Sequence, residues 1–117
     1  MLRSMLKSKI QGAVVTATDL YYEGSITLDE DLLRRADILP GEEVHVLSIS
    51  TGARFVTYTI PAPKGSGTVL LNGPAARLGE VGDHLIILAY GFAEDDEAGS
   101  VEPRIVKLGE NNRPDED

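Results

Sequence analysis

The chain has 117 residues, 42% of them apolar, which is enough for one globular domain with a hydrophobic core. It contains no cysteine, which excludes disulfides, thiolate nucleophiles and cysteine–zinc sites. The formal net charge of −8 disfavours nucleic-acid binding, but most of it lies in residues 94–97 and from residue 109 onward, so the remaining chain can still hold a local basic site.

The first part of the chain predicts two strands and one helix. Residues 10–18 are rich in β-branched side chains and predict a strand, and residues 25–28 predict a short second strand. A helix should follow. Either a capping box of Thr27 and Glu30 begins it, or Asp29 caps it. We expect the helix to end at Pro40 and Gly41, with Leu32, Leu33 and Ala36 on its apolar face.

The rest of the chain predicts short strands joined by tight turns. These strands are predicted at residues 43–49, 54–60, 68–71, 85–90 and 101–108. Thr51-Gly52 suggests a hairpin turn, residues 61–67 a loop, and Pro74 the first residue of a short helix through Leu78. Short strands with one or two small helices predict a mainly β fold, a closed or nearly closed small barrel.

The charge and hydropathy patterns also suggest a location and a domain boundary. No stretch of about 18 uncharged apolar residues occurs, and residues 1–9 are not followed by the apolar region of a signal peptide. We therefore expect a soluble, cytoplasmic protein. The barrel domain should cover residues 1–108, and residues 109–117 should form a flexible acidic tail. The acidic run at residues 94–97 should be solvated surface.

Several familiar catalytic motifs are absent from the sequence. No G-x-S-x-G motif surrounds Ser25, and neither His45 nor His84 is placed by sequence to act as its base. The two histidines form no ligand-spaced motif, so we expect no metal site. Lys64 to Gly67 is glycine-rich but lacks the strand and helix context of a phosphate-binding loop, which favours a flexible loop.

The stretch Tyr21 to Ile26 is more informative because of the motifs that accompany it. A Gly-Ser pair before a strand is by itself an ordinary turn. Here it belongs to an ordered set: Lys9-Ile10, Asp19-Leu20, Tyr22-Glu23-Gly24-Ser25, Gly52-x-Arg54, Thr57-Tyr58, Gly65-Ser66, Asn72-Gly73 and Gly82-Asp83. This set closely resembles the bacterial aspartate 1-decarboxylase family over residues 1–108.

The resemblance implies a fold, an assembly and a cofactor. The family folds as a six-stranded double-psi β-barrel and forms a homotetramer with active sites between subunits. Its inactive proenzyme is cleaved at the position of Gly24 and Ser25, which here would give a β chain of residues 1–24 and an α chain of residues 25–117. Ser25 would become a pyruvoyl group that forms a Schiff base with L-aspartate. Neither a metal nor pyridoxal phosphate would be required.

The product of this reaction in the family is β-alanine, which is used for pantothenate and hence coenzyme A. The residue types suit the cleavage chemistry. The Ser25 hydroxyl can attack the Gly24 carbonyl in an N-to-O acyl shift, and Gly24 has no side chain to block the approach. The sequence leaves open whether cleavage is spontaneous or requires a maturation factor.

The resemblance also assigns roles to individual residues. Tyr58 matches the family's proton donor, and Thr57 and Asn72 match substrate-binding positions. Gly73, Pro74 and Ala75 would complete the substrate site. Arg54 could clamp a carboxylate in bidentate fashion, and Lys9 could add positive charge. Each of these residues would also be unremarkable in an ordinary strand or turn.

Two positions depart from the family pattern. Gln11 stands where the family commonly has histidine, so a proton-shuttling role at that position is in doubt, because glutamine does not titrate near neutral pH. Pro74 replaces an alanine and has no N–H to donate, so backbone donors there would be Gly73 and Ala75. The alternatives are a catalytically inactive barrel of the same fold, an unrelated ligand-binding β-barrel and, least favoured, a serine hydrolase.

Overall fold

The computed structural model describes residues 1–115 and contains eight strands, two short α-helices and two 3-10 helices. The strands are β1 Leu2–Val14, β2 Ala17–Asp19, β3 Ser25–Asp29, β4 Glu43–Ser48, β5 Arg54–Ala62, β6 Val69–Asn72, β7 His84–Glu94 and β8 Arg104–Lys107. The helices are α1 Glu30–Ala36 and α2 Asp95–Ala98, and the 3-10 helices are Gly73–Arg77 and Glu110–Asn112. The prediction of a mainly β fold is confirmed.

The strand order closes the sheet into a ring. Neighbouring strands follow the order β2-β6-β3-β5-β4-β7-β1-β8. Because Val15 and Thr16 alone separate β1 from β2, one continuous segment pairs with β7 along β1 and with β6 along β2. The Thr16 amide donates to the Val69 carbonyl at 2.8 Å within this connection. If β1 and β2 are counted as one strand, the ring has the predicted six strands. Strand β8 pairs in parallel with β1 outside this ring.

The interior of the ring is filled mainly by branched aliphatic side chains from β1, β3, β4, β6 and β7. The largest fully buried aliphatic residues on these strands are Ile10, Ile26, Leu28, Val44, Val46, Val69, Leu71, Leu85 and Ile87. In β4 the buried residues alternate with partly or fully exposed ones, as expected when one face of a strand meets the core. Helix α1 adds Leu32, Leu33 and Ala36, the predicted apolar face.

Asp29 joins helix α1 to the loop before β6. Its buried carboxylate accepts hydrogen bonds from the Asp31 amide at 2.9 Å, the Gly65 amide at 3.0 Å and the Gly67 amide at 3.0 Å. Of the two predicted helix starts, the structure therefore has the Asp29 cap. The Thr27 hydroxyl accepts a hydrogen bond from Asn72 instead.

Helix α1 ends earlier than the sequence predicts. Its last residue is Ala36, and Asp37 has left-handed backbone angles, with φ of 56°, that stop the helix before Pro40. Hydrogen bonds from Arg34 and Arg35 hold the pKa of the Asp31 carboxyl below its ordinary value. The Arg34 side chain is 66% exposed, and ion pairs of such exposed groups contribute little to stability.

Strands β1 and β7 are both longer than predicted. They pair in antiparallel fashion from Leu2↔Glu94 to Val14↔His84, whereas the sequence predicted strands only from residue 10 and only to residue 90. The extension brings the Met1 amino group to 3.3 Å from the Glu94 carboxylate and the Arg3 guanidinium to 2.8 Å from that of Asp95. Part of the predicted solvated acidic run therefore forms ion pairs with the amino terminus.

The segment after β8 makes defined contacts with the barrel. Asn112 is buried and receives a hydrogen bond from the Val14 amide at 2.8 Å. It donates to the carbonyls of Val14 and Gly67 at 2.9 and 2.8 Å. Residues 109–115 of the predicted tail are thus attached to β1, and residues 116–117 lie outside the described residues. The flexibility of this segment stays a prediction. None of the helices within residues 1–115 is long and apolar enough to cross a membrane.

We expect Asp29→Asn to lower the free energy of unfolding by about 1–3 kcal/mol, because an amide nitrogen cannot accept one of the three backbone hydrogen bonds. Urea denaturation followed by circular dichroism measures the change. Glu30→Gln, at the exposed neighbouring position, is the control and should unfold like the unaltered protein. Equal stability of Asp29→Asn and Glu30→Gln would show that the carboxylate of Asp29 is not needed.

Candidate active site

A cavity lies where β5 extends past the start of β3. The two strands are parallel, and their pairing begins at Ile26↔Thr59. Since β5 starts at Arg54, its first residues have no β3 partner, and the space beside them is bordered by Gly24 and the 3-10 helix that follows β6. The cavity has a volume of about 330 Å³, within the range of small-molecule sites. It is lined by Gly24, Phe55, Val56, Thr57, Tyr58, Pro74, Ala75 and Leu78.

Ser25 is the first residue of β3 and is fully buried. In the antiparallel pair of β3 and β6 it stands opposite Asn72, which explains how residues so distant in sequence meet. The Asn72 Nδ2 group donates to Ser25 Oγ at 2.9 Å. Ser25 Oγ itself donates weakly to the Glu23 carbonyl, at 3.4 Å. The Ser25 hydroxyl thus lies between the Asn72 amide and the Glu23 carbonyl.

The side-chain amide of Asn72 donates hydrogen bonds to two hydroxyl groups. Besides Ser25, its Nδ2 donates to Thr27 Oγ1 at 2.8 Å, and the residue is only 1% exposed. Sequence reasoning considered Thr27 only as a helix cap and missed this contact. The contact depends on the register of β3 against β6, which no local pattern in the sequence reveals.

Gly73 and Pro74 fix the position of the chain just before Ser25. Gly73 has a φ of +59°, and a Cβ on it would lie 2.5 Å from the Tyr22 carbonyl oxygen and 2.8 Å from the Gly24 nitrogen. A Cβ on Gly24 would lie 3.3 Å from Pro74 Cδ. Close packing therefore requires glycine at position 73, and the Pro74 ring packs closely against Gly24. Pro74 sits in the first turn of the Gly73–Arg77 helix, where a missing N–H is tolerated.

Thr57 and Tyr58 are adjacent on β5 and both line the cavity. Thr57 is partly buried, whereas Tyr58 is 39% exposed, as expected for neighbours on opposite faces of a strand. Phe55, Val56 and Leu78 also line the cavity, and sequence reasoning missed them because their residue types indicate ordinary packing.

Arg54 and Lys9 are not brought to this cavity. Arg54 does not line the cavity, although it directly precedes the lining residue Phe55 on β5. Its guanidinium lies 3.2 Å from His45 Nδ1 and 3.4 Å from the Tyr90 hydroxyl oxygen. Lys9 lies on β1 between Leu88 of β7 and Ile105 of β8.

The electrostatic character of the cavity follows from its lining. None of its eight lining residues carries a charged side chain at neutral pH. A negatively charged ligand in the cavity of one chain would therefore depend on backbone N–H groups or on cations from another chain. Among residues 1–115, no group of three or more histidine, aspartate or glutamate side chains is arranged to hold a metal ion.

Comparison with known proteins gives a consistent result. The family model for aspartate decarboxylase matches residues 1–115. A protein named aspartate 1-decarboxylase from Thermoanaerobacter pseudethanolicus is 52% identical over 114 residues, which cover 97% of both chains. Proteins of the same name from Desulfitobacterium hafniense and Moorella thermoacetica are 53% and 52% identical, with 97% of this chain and 90% and 88% of theirs covered.

The matched residues include the β3–β6 pair that holds Ser25 against Asn72 and the whole lining of the cavity. This chain therefore belongs to the aspartate decarboxylase family.

Proposed function

We propose that this chain is a precursor that cleaves itself between Gly24 and Ser25 and then decarboxylates L-aspartate to β-alanine for pantothenate synthesis. The observation that carries the proposal is the position of the Gly24–Ser25 peptide. Gly24 borders a cavity that Thr57 and Tyr58 also line, and Ser25 receives a hydrogen bond from Asn72. Membership of the aspartate decarboxylase family supports the choice of substrate.

The cleavage can be written with the residues at hand. Ser25 Oγ attacks the Gly24 carbonyl carbon, the bond from that carbon to the Ser25 nitrogen breaks, and the hydroxyl proton passes to this nitrogen. The resulting ester then loses the Ser25 α-proton and the Gly24 carboxylate leaves, which gives a dehydroalanine. Water releases ammonia from it and leaves a pyruvoyl group on residue 25.

The site is compatible with a pyruvoyl group at residue 25. The side chain of this residue is small and buried, and its hydrogen-bond partner Asn72 can donate to a carbonyl oxygen as well as to a hydroxyl. When formed, the ketone would bind the amino group of the substrate covalently and take up the electron pair left by the departing carboxylate.

The remaining residues would bind the substrate and move a proton. Tyr58 lines the cavity and is the proton donor for the α-carbon after the carboxylate leaves. Thr57 and the backbone N–H groups of Gly73 and Ala75 would bind substrate oxygens, while Pro74 can contribute only ring contacts. The mostly apolar wall favours loss of a charged carboxylate as neutral carbon dioxide.

The site would be completed across a subunit interface in a homotetramer. The cavity of one chain lacks a charged side chain, and Arg54 and Lys9 lie elsewhere on its barrel. A neighbouring subunit that supplied Arg54 would give the second carboxylate of aspartate a bidentate partner. Lys9 would add positive charge to the same site.

We expect Ser25→Ala to abolish both cleavage and decarboxylation, because alanine has no nucleophile and cannot become a pyruvoyl group. Intact-protein mass spectrometry and a β-alanine assay on one sample measure the two effects. Ser100→Ala, at an exposed position after α2, is the control and should behave like the unaltered chain. Decarboxylation by the uncleaved Ser25→Ala protein would overturn the mechanism.

Tyr58→Phe should leave cleavage intact and lower kcat on the order of 100-fold, because the phenol that supplies the proton is lost while the ring is kept. Steady-state kinetics on fully cleaved protein measures the change. An unaltered kcat would remove Tyr58 from the role of proton donor.

Co-expression of Ser25→Ala chains with Arg54→Ala chains tests the shared site. Each variant alone should be inactive or nearly so. In mixed tetramers that assort at random, about a quarter of the sites would combine an intact Ser25 from one chain with an intact Arg54 from its neighbour. Recovery of activity only in the mixed sample is the expected result. No recovery in mixed tetramers would mean that Arg54 serves the site of its own chain.

A further inference from the structure

Thr27 lies outside the cavity lining, and the function proposed above gives it no role. It is nevertheless bonded to the residue that holds Ser25, because Asn72 Nδ2 donates at 2.8 Å to Thr27 Oγ1 and at 2.9 Å to Ser25 Oγ. We propose that Thr27 is a positioning residue for cleavage: its hydroxyl orients the Asn72 amide so that an N–H faces Ser25 Oγ. This inference rests on the proposed self-cleavage.

The strand geometry places the three side chains in one row. Ser25 and Thr27 are two residues apart on β3 and therefore point to the same face. On β6, Asn72 is directly opposite Ser25 and Leu70 is opposite Thr27. The Asn72 side chain can thus reach both hydroxyl groups with the two hydrogens of one nitrogen.

The orientation of the amide matters because its two ends are chemically opposite. The nitrogen of an asparagine amide only donates, and its oxygen only accepts. Since Asn72 is 1% exposed, water cannot readily replace a lost partner. Removal of the Thr27 hydroxyl would leave one N–H without its acceptor and would weaken the preference for the orientation in which nitrogen faces Ser25.

An N–H directed at Ser25 Oγ favours the attack on Gly24. As the hydroxyl proton leaves, negative charge develops on Oγ, and a hydrogen bond to a charged oxygen is stronger than one to a neutral hydroxyl. The donor therefore stabilises the transition state more than the ground state. The long 3.4 Å contact from Ser25 Oγ to the Glu23 carbonyl holds the hydroxyl proton only weakly, so this proton can be transferred.

A simpler explanation is that Thr27 only stabilises the barrel. Thr59 offers a matched control, because it is a buried threonine on the neighbouring strand β5 whose hydroxyl donates to the Leu39 carbonyl at 2.8 Å. Replacing either threonine with valine removes one hydroxyl and its hydrogen bond from the same barrel. A purely structural role predicts equal effects of the two substitutions on cleavage.

The test compares Thr27→Val, Thr27→Ser and Thr59→Val. Intact-protein mass spectrometry follows the cleaved fraction of each purified full-length chain during incubation, and thermal unfolding of the same samples reports stability. We expect Thr27→Val to cleave about tenfold more slowly than the unaltered chain. This factor corresponds to the loss of one hydrogen bond to the charged Ser25 Oγ in the transition state. Thr27→Ser, which keeps the hydroxyl, should restore the rate, and Thr59→Val should cleave normally.

Three results would overturn the inference and leave the proposed function standing. Cleavage of Thr27→Val at the unaltered rate would exclude any positioning role. Equally slow cleavage of Thr59→Val at similar loss of stability would reduce Thr27 to a structural residue. Slow cleavage of Thr27→Ser would show that the hydroxyl is not what matters. An unaltered chain that never cleaves would refute the proposed function, and the inference with it. Failure of the inference alone would be seen in the variants while the unaltered chain still cleaves.

Discussion

The register of β3 against β6 is the constraint on which the rest of the site depends. Ser25 lies opposite Asn72, and each residue of β3 points to the same face of the sheet as its partner on β6. A slip of one residue would turn Asn72 away from Ser25 and would also turn the buried aliphatic residues outward. Ile26 and Leu28 on β3 and Leu71 on β6 are fully buried, so the hydrophobic core fixes the register that the site requires.

Close backbone packing around Gly73 is a second constraint on the site. Gly73 has almost no free space around its α-carbon, because the Tyr22 carbonyl and the Gly24 nitrogen lie where a side chain would be. The chain before Ser25 is therefore wedged against the start of the Gly73–Arg77 helix. Pro74 adds a rigid ring next to Gly24. The replacement of alanine by proline is thus accommodated at this position, since the first turn of a helix does not need that N–H.

Arg54 differs from the cations of the barrel that form ion pairs. Lys7 pairs with Glu42 at 2.6 Å, and Arg3 pairs with Asp95 at 2.8 Å. Across the described part of the chain, no carboxylate lies within ion-pair distance of Arg54, and its guanidinium contacts His45 and Tyr90. Because a guanidinium can only donate, His45 Nδ1 acts as the acceptor in this contact. An anionic ligand would thus meet an uncompensated charge.

The sequence by itself determined the mainly β class, the approximate positions of most strands and, through an ordered set of short motifs, the family. These features are local: β-branched runs, turn residues and motif order are all readable without knowing which segments pair. The apolar face of α1 and the strand at β4 followed from periodicity alone, since burial on one side imposes it.

The tertiary structure decided everything that depends on pairing between distant segments. The extension of β1 to Leu2 arises from its pairing with β7, and the cap at Asp29 was selected because its carboxylate also reaches the Gly65 and Gly67 amides. The link from Thr27 to Asn72 exists only in the β3–β6 register. Motif order also could not reveal that Arg54 contacts His45 and Tyr90 and does not line the cavity, because the contacts of a side chain are set by packing.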